Sequence, residues 1–161
     1  MKRLGFIACG ALIAACGGPS EPEEGPPPLY NYASMEQAMA EARETLPVFW
    51  DAFESDNPDY SYFALNVTTV SKRYTQEHVW LVDIRHVNDG QYAGVIPQEH
   101  EIEDGLTPGD MIAFLPEHIA DWRYKEDGRF RGSYTLRAML DLAPNADTSN
   151  IRATFHDRPV P

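Results

Sequence analysis

The chain has 161 residues, with 25 acidic against 13 basic side chains, a formal net charge of −12 and two cysteines. That surplus repels phosphate backbones and anionic headgroups, which excludes nucleic acid as a partner and a charge-driven membrane contact. It attracts cationic partners, or else it keeps the chain soluble.

The N-terminus does not read as part of a globular domain. Lys2 and Arg3 precede about thirteen uncharged residues ending at Cys16, too short a run to span a bilayer and of the length of a signal-peptide core. Its end, Ile13-Ala14-Ala15-Cys16, resembles the bacterial lipobox, in which the cysteine is acylated and becomes the mature N-terminus. The expectation is a signal peptide over residues 1–15 and a lipid-bilayer anchor through acylated Cys16, stable once two acyl chains are attached. Cleavage at an A-x-A-like site, leaving Cys16 unmodified, is the alternative. Gly17 stands where an inner-membrane retention Asp would, so the expected address in a Gram-negative envelope is the outer membrane, facing the periplasm. Loss of Lys2 and Arg3 leaves 11 basic residues and a charge of about −14. With Cys9 removed and Cys16 a thioether, thiol catalysis, disulfides and cysteine-bound zinc are excluded.

Residues 16–28 hold Pro, Gly and Glu without a large apolar residue, the composition of a disordered tether. The folded domain is expected over 29–143, long enough for one core and not two. From Ser34, Met35, Ala38, Met39, Ala42, Leu46, Phe49 and Phe53 recur at spacings of three and four, the period of one buried helix face. Ser34 with Gln37 fits a capping box. Pro47 should kink or restart the helix, with Pro47 in the first turn of the second piece.

Alternating strands follow. Phe63, Leu65 and Val67 face one side of the first, and Trp80, Val82 and Ile84 are expected inward on the second, between His78 and His86. Asn88-Asp89-Gly90 makes a tight turn, with Gly90 at positive φ, into a third strand. Strands near Met111–Leu115 and His118–Tyr124 follow the Pro108-Gly109-Asp110 turn, and Asp127-Gly128 turns the chain again. A last helix covers about Tyr134 to Leu142. Residues 144–161 read as a polar tail in which "IRATFH" can add an edge strand. The fold class is α+β: a small single domain with an N-terminal helix and a short C-terminal helix on an antiparallel sheet of about five strands.

Catalytic signatures are missing. His78 and His86 lie about 26 Å apart along one strand, too far to share a metal. Glu99-His100-Glu101 has no second histidine at ligand spacing, and His118 and His156 are isolated. There is no G-x-S-x-G, S-x-x-K, H-E-x-x-H or phosphate-cradling glycine loop. No catalytic residue, metal or cofactor is therefore assigned. The segment His118–Leu140 concentrates Arg123, Lys125, Arg129, Arg131 and Arg137 beside Trp122 and Tyr124. It reads either as an anion site or partner epitope, or as a set of arginines paired internally with the surplus carboxylates. Asp121 is expected to pair with an arginine such as Arg137.

The stretches "HVWLVDIRHVNDGQYAGVI", "LTPGDMIAFLPEHIADWRY" and "DGRFRGSYTLRAML" resemble the bacterial domain of unknown function 2314, the YegJ-like lipoprotein family. The resemblance spans about Met35 to Leu142. It implies a small α+β domain in exported proteins, and no reaction. Its matching positions are Trp80, Gly94, Gly109, Asp110, Asp121, Trp122, Gly132, Thr135 and Arg137. The loop "VIPQEHEIEDG" is more acidic than the family pattern, and Arg123 stands where a Met is common, so loop-borne specificity does not carry over.

Two functions compete on this reading. The first is a non-enzymatic envelope lipoprotein that binds a partner, such as a basic envelope protein, through the surface around Trp122 or the acidic loops, with an inhibitor or immunity-like role as one version. The second is an enzyme or small-ligand receptor using Asp121 and Arg137, with Tyr134 and His118 in a pocket. Candidate binding or signature positions are Trp80, Gly94, Asp110, Asp121, Trp122, Tyr124, Arg129, Arg131, Tyr134, Thr135 and Arg137.

Overall fold

The computed structural model describes residues 31–70, 76–88, 90–98, 107–143 and 147–161. The expected signal peptide and tether, with Cys16, and also Asp89 and Glu99-His100-Glu101 lie outside the described residues.

The first helix starts earlier than the capping-box reading. Asn31, not Ser34, is the N-cap of α1 (Tyr32–Glu44), accepting from the Ala33 and Ser34 amides at 3.1 and 3.4 Å. Gln37 donates instead to Glu41, one turn on, at 2.9 Å. An Asx side chain in extended conformation reaches these amides directly, so no second member is required. α2 (Leu46–Phe53) restarts at Thr45, with Pro47 in its first turn as expected.

One six-stranded antiparallel sheet carries the fold, in the order β4-β3-β2-β1-β5-β6. Its strands are β1 (Tyr60–Val70), β2 (Gln76–Asn88), β3 (Gln91–Val95), β4 (Met111–Phe114), β5 (Ile119–Glu126) and β6 (Arg129–Gly132). The sixth is the arm after the Asp127-Gly128 turn, whose two residues at φ 49° and 77° have the positive-φ pair of a two-residue hairpin. β6 leads into α3 (Tyr134–Asp141), and the chain ends beyond α4 (Ser149–Arg152).

Leu65, Val67, Trp122 and Tyr124 form the inner face with Phe49 of α2. On β2 the phase differs from the expected one: Val79 and Leu81 are buried inward and Trp80 faces outward. Ile84 returns to the core because a bulge intervenes, with Asp83 at φ 51° between the Val82 and Arg85 pairings. One extra residue flips the alternation, so a single phase cannot describe the strand.

β5 runs past the end of β6, whose pairing begins at Arg123. The edge so freed is met by α1 and by the start of α3. The Ile119 carbonyl accepts from Arg43 Nε at 3.0 Å, the Trp122 carbonyl from the Ser133 amide at 2.8 Å, and Trp122 Nε1 donates to the Ala42 carbonyl at 2.9 Å. The two helices thus wall the outer face of the sheet at this end. The buried apolar side chains of the described residues run from Met35 to Phe155.

Candidate functional site

The register places Asn66 of β1 opposite Trp80 on one side and Asp121 on the other, giving one transverse row on the outer face. Asp121 is fully buried beneath the start of α3. Its Oδ1 accepts from the Trp122 and Tyr134 amides at 2.7 and 3.2 Å, and its Oδ2 from the Thr135 amide and hydroxyl at 2.9 and 2.6 Å. Burial pushes the carboxyl above its ordinary value and these four bonds pull it back. All four partners are donors, so the carboxylate is the form the site accommodates.

The expected Asp121–Arg137 pair is not formed. Arg137 donates to the carbonyls of Gly132 at 2.8 Å and His156 at 2.9 Å, and its guanidinium lies 4.8 Å from the centre of the Phe155 ring. The physical reason is local: Gly132 and Ser133, at φ 69° and 58°, turn the chain so that the first amides of α3 point at Asp121. Those orphan donors, with the Thr135 hydroxyl and the Trp122 amide, saturate the carboxylate and leave no place for an arginine. Asp121 caps a helix, and an acid or base role shared with Arg137 has no geometric basis.

Lys125 lies over the Tyr62 and Phe130 rings, and the other arginines of this segment divide between two tasks. Arg131 pairs with Glu126 at 2.6 Å and donates to the Arg158 and Val160 carbonyls; Arg129 donates to the Phe155 carbonyl and lies 3.7 Å from Asp157. Both hold the C-terminal segment. Arg123 does not. Its neighbour across the strand pair is Ala64, small enough for the guanidinium to cross β1 and lie 4.3 Å from the centre of the Trp80 ring. Its Nη2 donates to Tyr62 Oη at 3.4 Å, its Nε is buried without a partner, and no carboxylate lies within 4 Å among the described residues.

Beside Arg123 a groove of about 250 Å³ opens on the outer face. Its floor is Asn66, His78, Trp80 and Arg123; Met35 and Met39 of α1 form one wall, and Thr135, Leu136 and Met139 of α3 the other. The stripe read as core therefore splits. Ala38 and Ala42 serve the core, while Met35 and Met39 also line a cavity. His78 Nδ1 donates to Asn66 Oδ1 at 3.3 Å, and burial together with the charge of Arg43 holds the imidazole below its ordinary value. Among the described residues that line the groove, Arg123 is thus the one permanent cation. A wider cleft of about 630 Å³ lies where β1 and β2 part, beside the positive-φ residues Tyr62 and Asp83, but among the described residues no basic side chain lines it.

The remaining candidate positions are structural by placement. Trp122 and Tyr124 are fully buried, and burial pushes the Tyr124 phenol up to about 12; neither offers a surface. Tyr134 is buried against the Trp122 ring. A Cβ on Gly94 would stand 2.7 Å from Leu81 Cβ, so the glycine lets β3 close on β2. Asp110 Oδ2 accepts from the Thr107 amide at 3.0 Å across the Pro108-Gly109 turn. No cluster of three potential metal ligands occurs among the described residues. Sequence reasoning passed over Asn66, His78 and the two α1 methionines as site residues. The one signal available was the phase of β2, which exposes Trp80.

These features define a class: a small α+β domain of one antiparallel sheet, with a lined groove on its outer face beside a helix-capping aspartate. More particularly, the chain belongs to the family described as uncharacterized protein conserved in bacteria (DUF2314), which it matches over residues 32–155. It is 27% identical over 124 residues to uncharacterized protein YegJ of Escherichia coli (strain K12), across 77% of this chain and 78% of that one. No solved structure matches it.

Proposed function

We propose that this protein is a non-enzymatic binding lipoprotein of the bacterial cell envelope, anchored through acylated Cys16 and engaging its ligand in the outer-face groove. The observation that carries the reading is Arg123, a stacked cation without a carboxylate partner among the described residues, beside an apolar cavity walled by two helices. Concave, mostly apolar sites with a few fixed polar groups are where small ligands bind. The lipobox-like run and the Pro/Gly/Glu tether support the address, and a groove lined by no carboxylate among the described residues favours binding over acid-base chemistry. A basic envelope protein as partner is the second reading, favoured by the net charge of −12.

Intact mass of the protein extracted from membranes tests the anchor: a chain starting at Cys16 with a thioether-linked diacylglyceryl group is expected, and a free thiol there would refute it. Native mass spectrometry of the protein, after incubation with envelope extract, tests the groove. A retained adduct that disappears in Leu136→Trp, which fills the cavity, is expected. Retention unchanged by that substitution would rule the groove out.

A further inference from the structure

We infer that the groove takes a short aliphatic monocarboxylate, its carboxylate on the Arg123 guanidinium and its chain between the methionine walls. This deepens the reading of the groove as the binding site and rests on it. Among the described residues Arg43 and Arg137 also lack a carboxylate within 4 Å but spend their guanidinium groups on main-chain carbonyls, whereas Arg123 has neither carboxylate nor carbonyl and keeps a buried Nε unpartnered. Its planar fork matches a carboxylate edge-on, and stacking on Trp80 fixes the plane in advance. Phosphate shares this chemistry, but the field of a chain at −12 penalises a dianion more than a monoanion, and burial beside Arg43 disfavours a charge on His78.

The walls select the rest of the ligand. Three of the five methionines, Met35, Met39 and Met139, line this one cavity. Unbranched thioether side chains adapt to a flexible aliphatic chain better than a rigid aromatic slot does. A volume of about 250 Å³ holds about eight groups of the size of a water molecule, which fits octanoate and not a two-chain lipid.

The test uses the full chain carrying ¹³C-methyl methionine, titrated separately with octanoate, 1-octanol and acetate. Met111, exposed on β4, is the internal control. Octanoate should shift the Met35, Met39 and Met139 methyls saturably and leave Met111 still. Arg123→Gln should weaken octanoate by about tenfold or more, as expected for loss of a charged hydrogen bond, with Arg123→Lys intermediate and the Met111 signal reporting an intact fold. Acetate and 1-octanol should each bind about tenfold more weakly than octanoate. Equal binding of 1-octanol, indifference to Arg123→Gln, or shifts that include Met111 would each overturn the inference. If octanoate fails while Leu136→Trp still abolishes the envelope adduct, the carboxylate is wrong and the groove stands; if both fail, both readings fall.

Discussion

Asp121 and Arg123 are two residues apart on one face of one strand, yet they have opposite fates, and the difference is backbone. Asp121 lies where the first amides of α3 converge, so it is consumed by four donors; Arg123 lies one pair further along, beside Ala64, and aromatic rings meet it there. Asp121→Asn keeps an acceptor for the Trp122 and Tyr134 amides but turns an NH₂ toward the Thr135 amide. Because burial already penalises the charge, the expected loss is about 1–3 kcal/mol, whereas Asp121→Ala, which orphans every donor, should cost about 3–5 kcal/mol. Urea melts that rank the two variants equally would refute the capping role. This part of the site was half legible. Asp121, Thr135 and Arg137 stand out in the sequence, but the partners of Asp121 are mostly main-chain amides, and amides carry no residue signature. His78 gives a second prediction at this scale. Its folded value lies below the ordinary 6.5, so below that pH the unfolded chain binds the extra proton and stability declines as the pH falls. His78→Gln should flatten the decline of ΔG from pH 7 to 5, and an unchanged slope would assign it elsewhere.

Elements were legible wherever one rule governs them. Pro47 restarts the helix, Asp127-Gly128 turns the chain, and β1 keeps its Leu65 and Val67 alternation. β2 was not, because the bulge at Asp83 changes its phase midway and no residue type there requires a bulge. β6 escaped because it is only four residues long and two of them are arginines. Two glycines at positive φ separate conformational from steric demands. Gly128, at φ 77°, has open space where a Cβ would stand, so Gly128→Ala should cost about 1–2 kcal/mol for the backbone alone. Gly132, at φ 69°, would put that atom 2.1 Å from the Trp122 carbonyl oxygen. Gly132→Ala must therefore part β6 from β5 at the entry to α3, at a cost of about 3 kcal/mol or more. Thermal denaturation showing the two variants alike would mean that the β5–α3 junction is looser than this contact implies.

At the scale of the molecule, the two sheet edges are protected differently. β4 is short, four residues with Met111 exposed, whereas β6 is covered by the C-terminal segment. The Phe130 amide donates to the Thr154 carbonyl at 2.8 Å, the His156 amide to the Phe130 carbonyl at 3.1 Å, and the Gly132 amide to the Pro159 carbonyl at 2.8 Å. Arg129, Arg131 and Arg137 add side-chain bonds to carbonyls of Phe155, His156, Arg158 and Val160. The basic cluster that suggested a binding epitope is thus largely a clasp, which closes the edge that a six-stranded open sheet would otherwise present to another copy. Phe155 is buried and Val160 packs on the core, each contributing about 1.5–3 kcal/mol if fully buried. A chain ending at Ala146 should lose about 3 kcal/mol or more on that ground, and its β6 amides should seek new partners. The expected outcome is a lower urea midpoint together with concentration-dependent association in light scattering, reversed when a peptide of residues 147–161 is added back. A truncated chain that stays monomeric with an unchanged midpoint would show that the clasp neither stabilises the domain nor guards its edge.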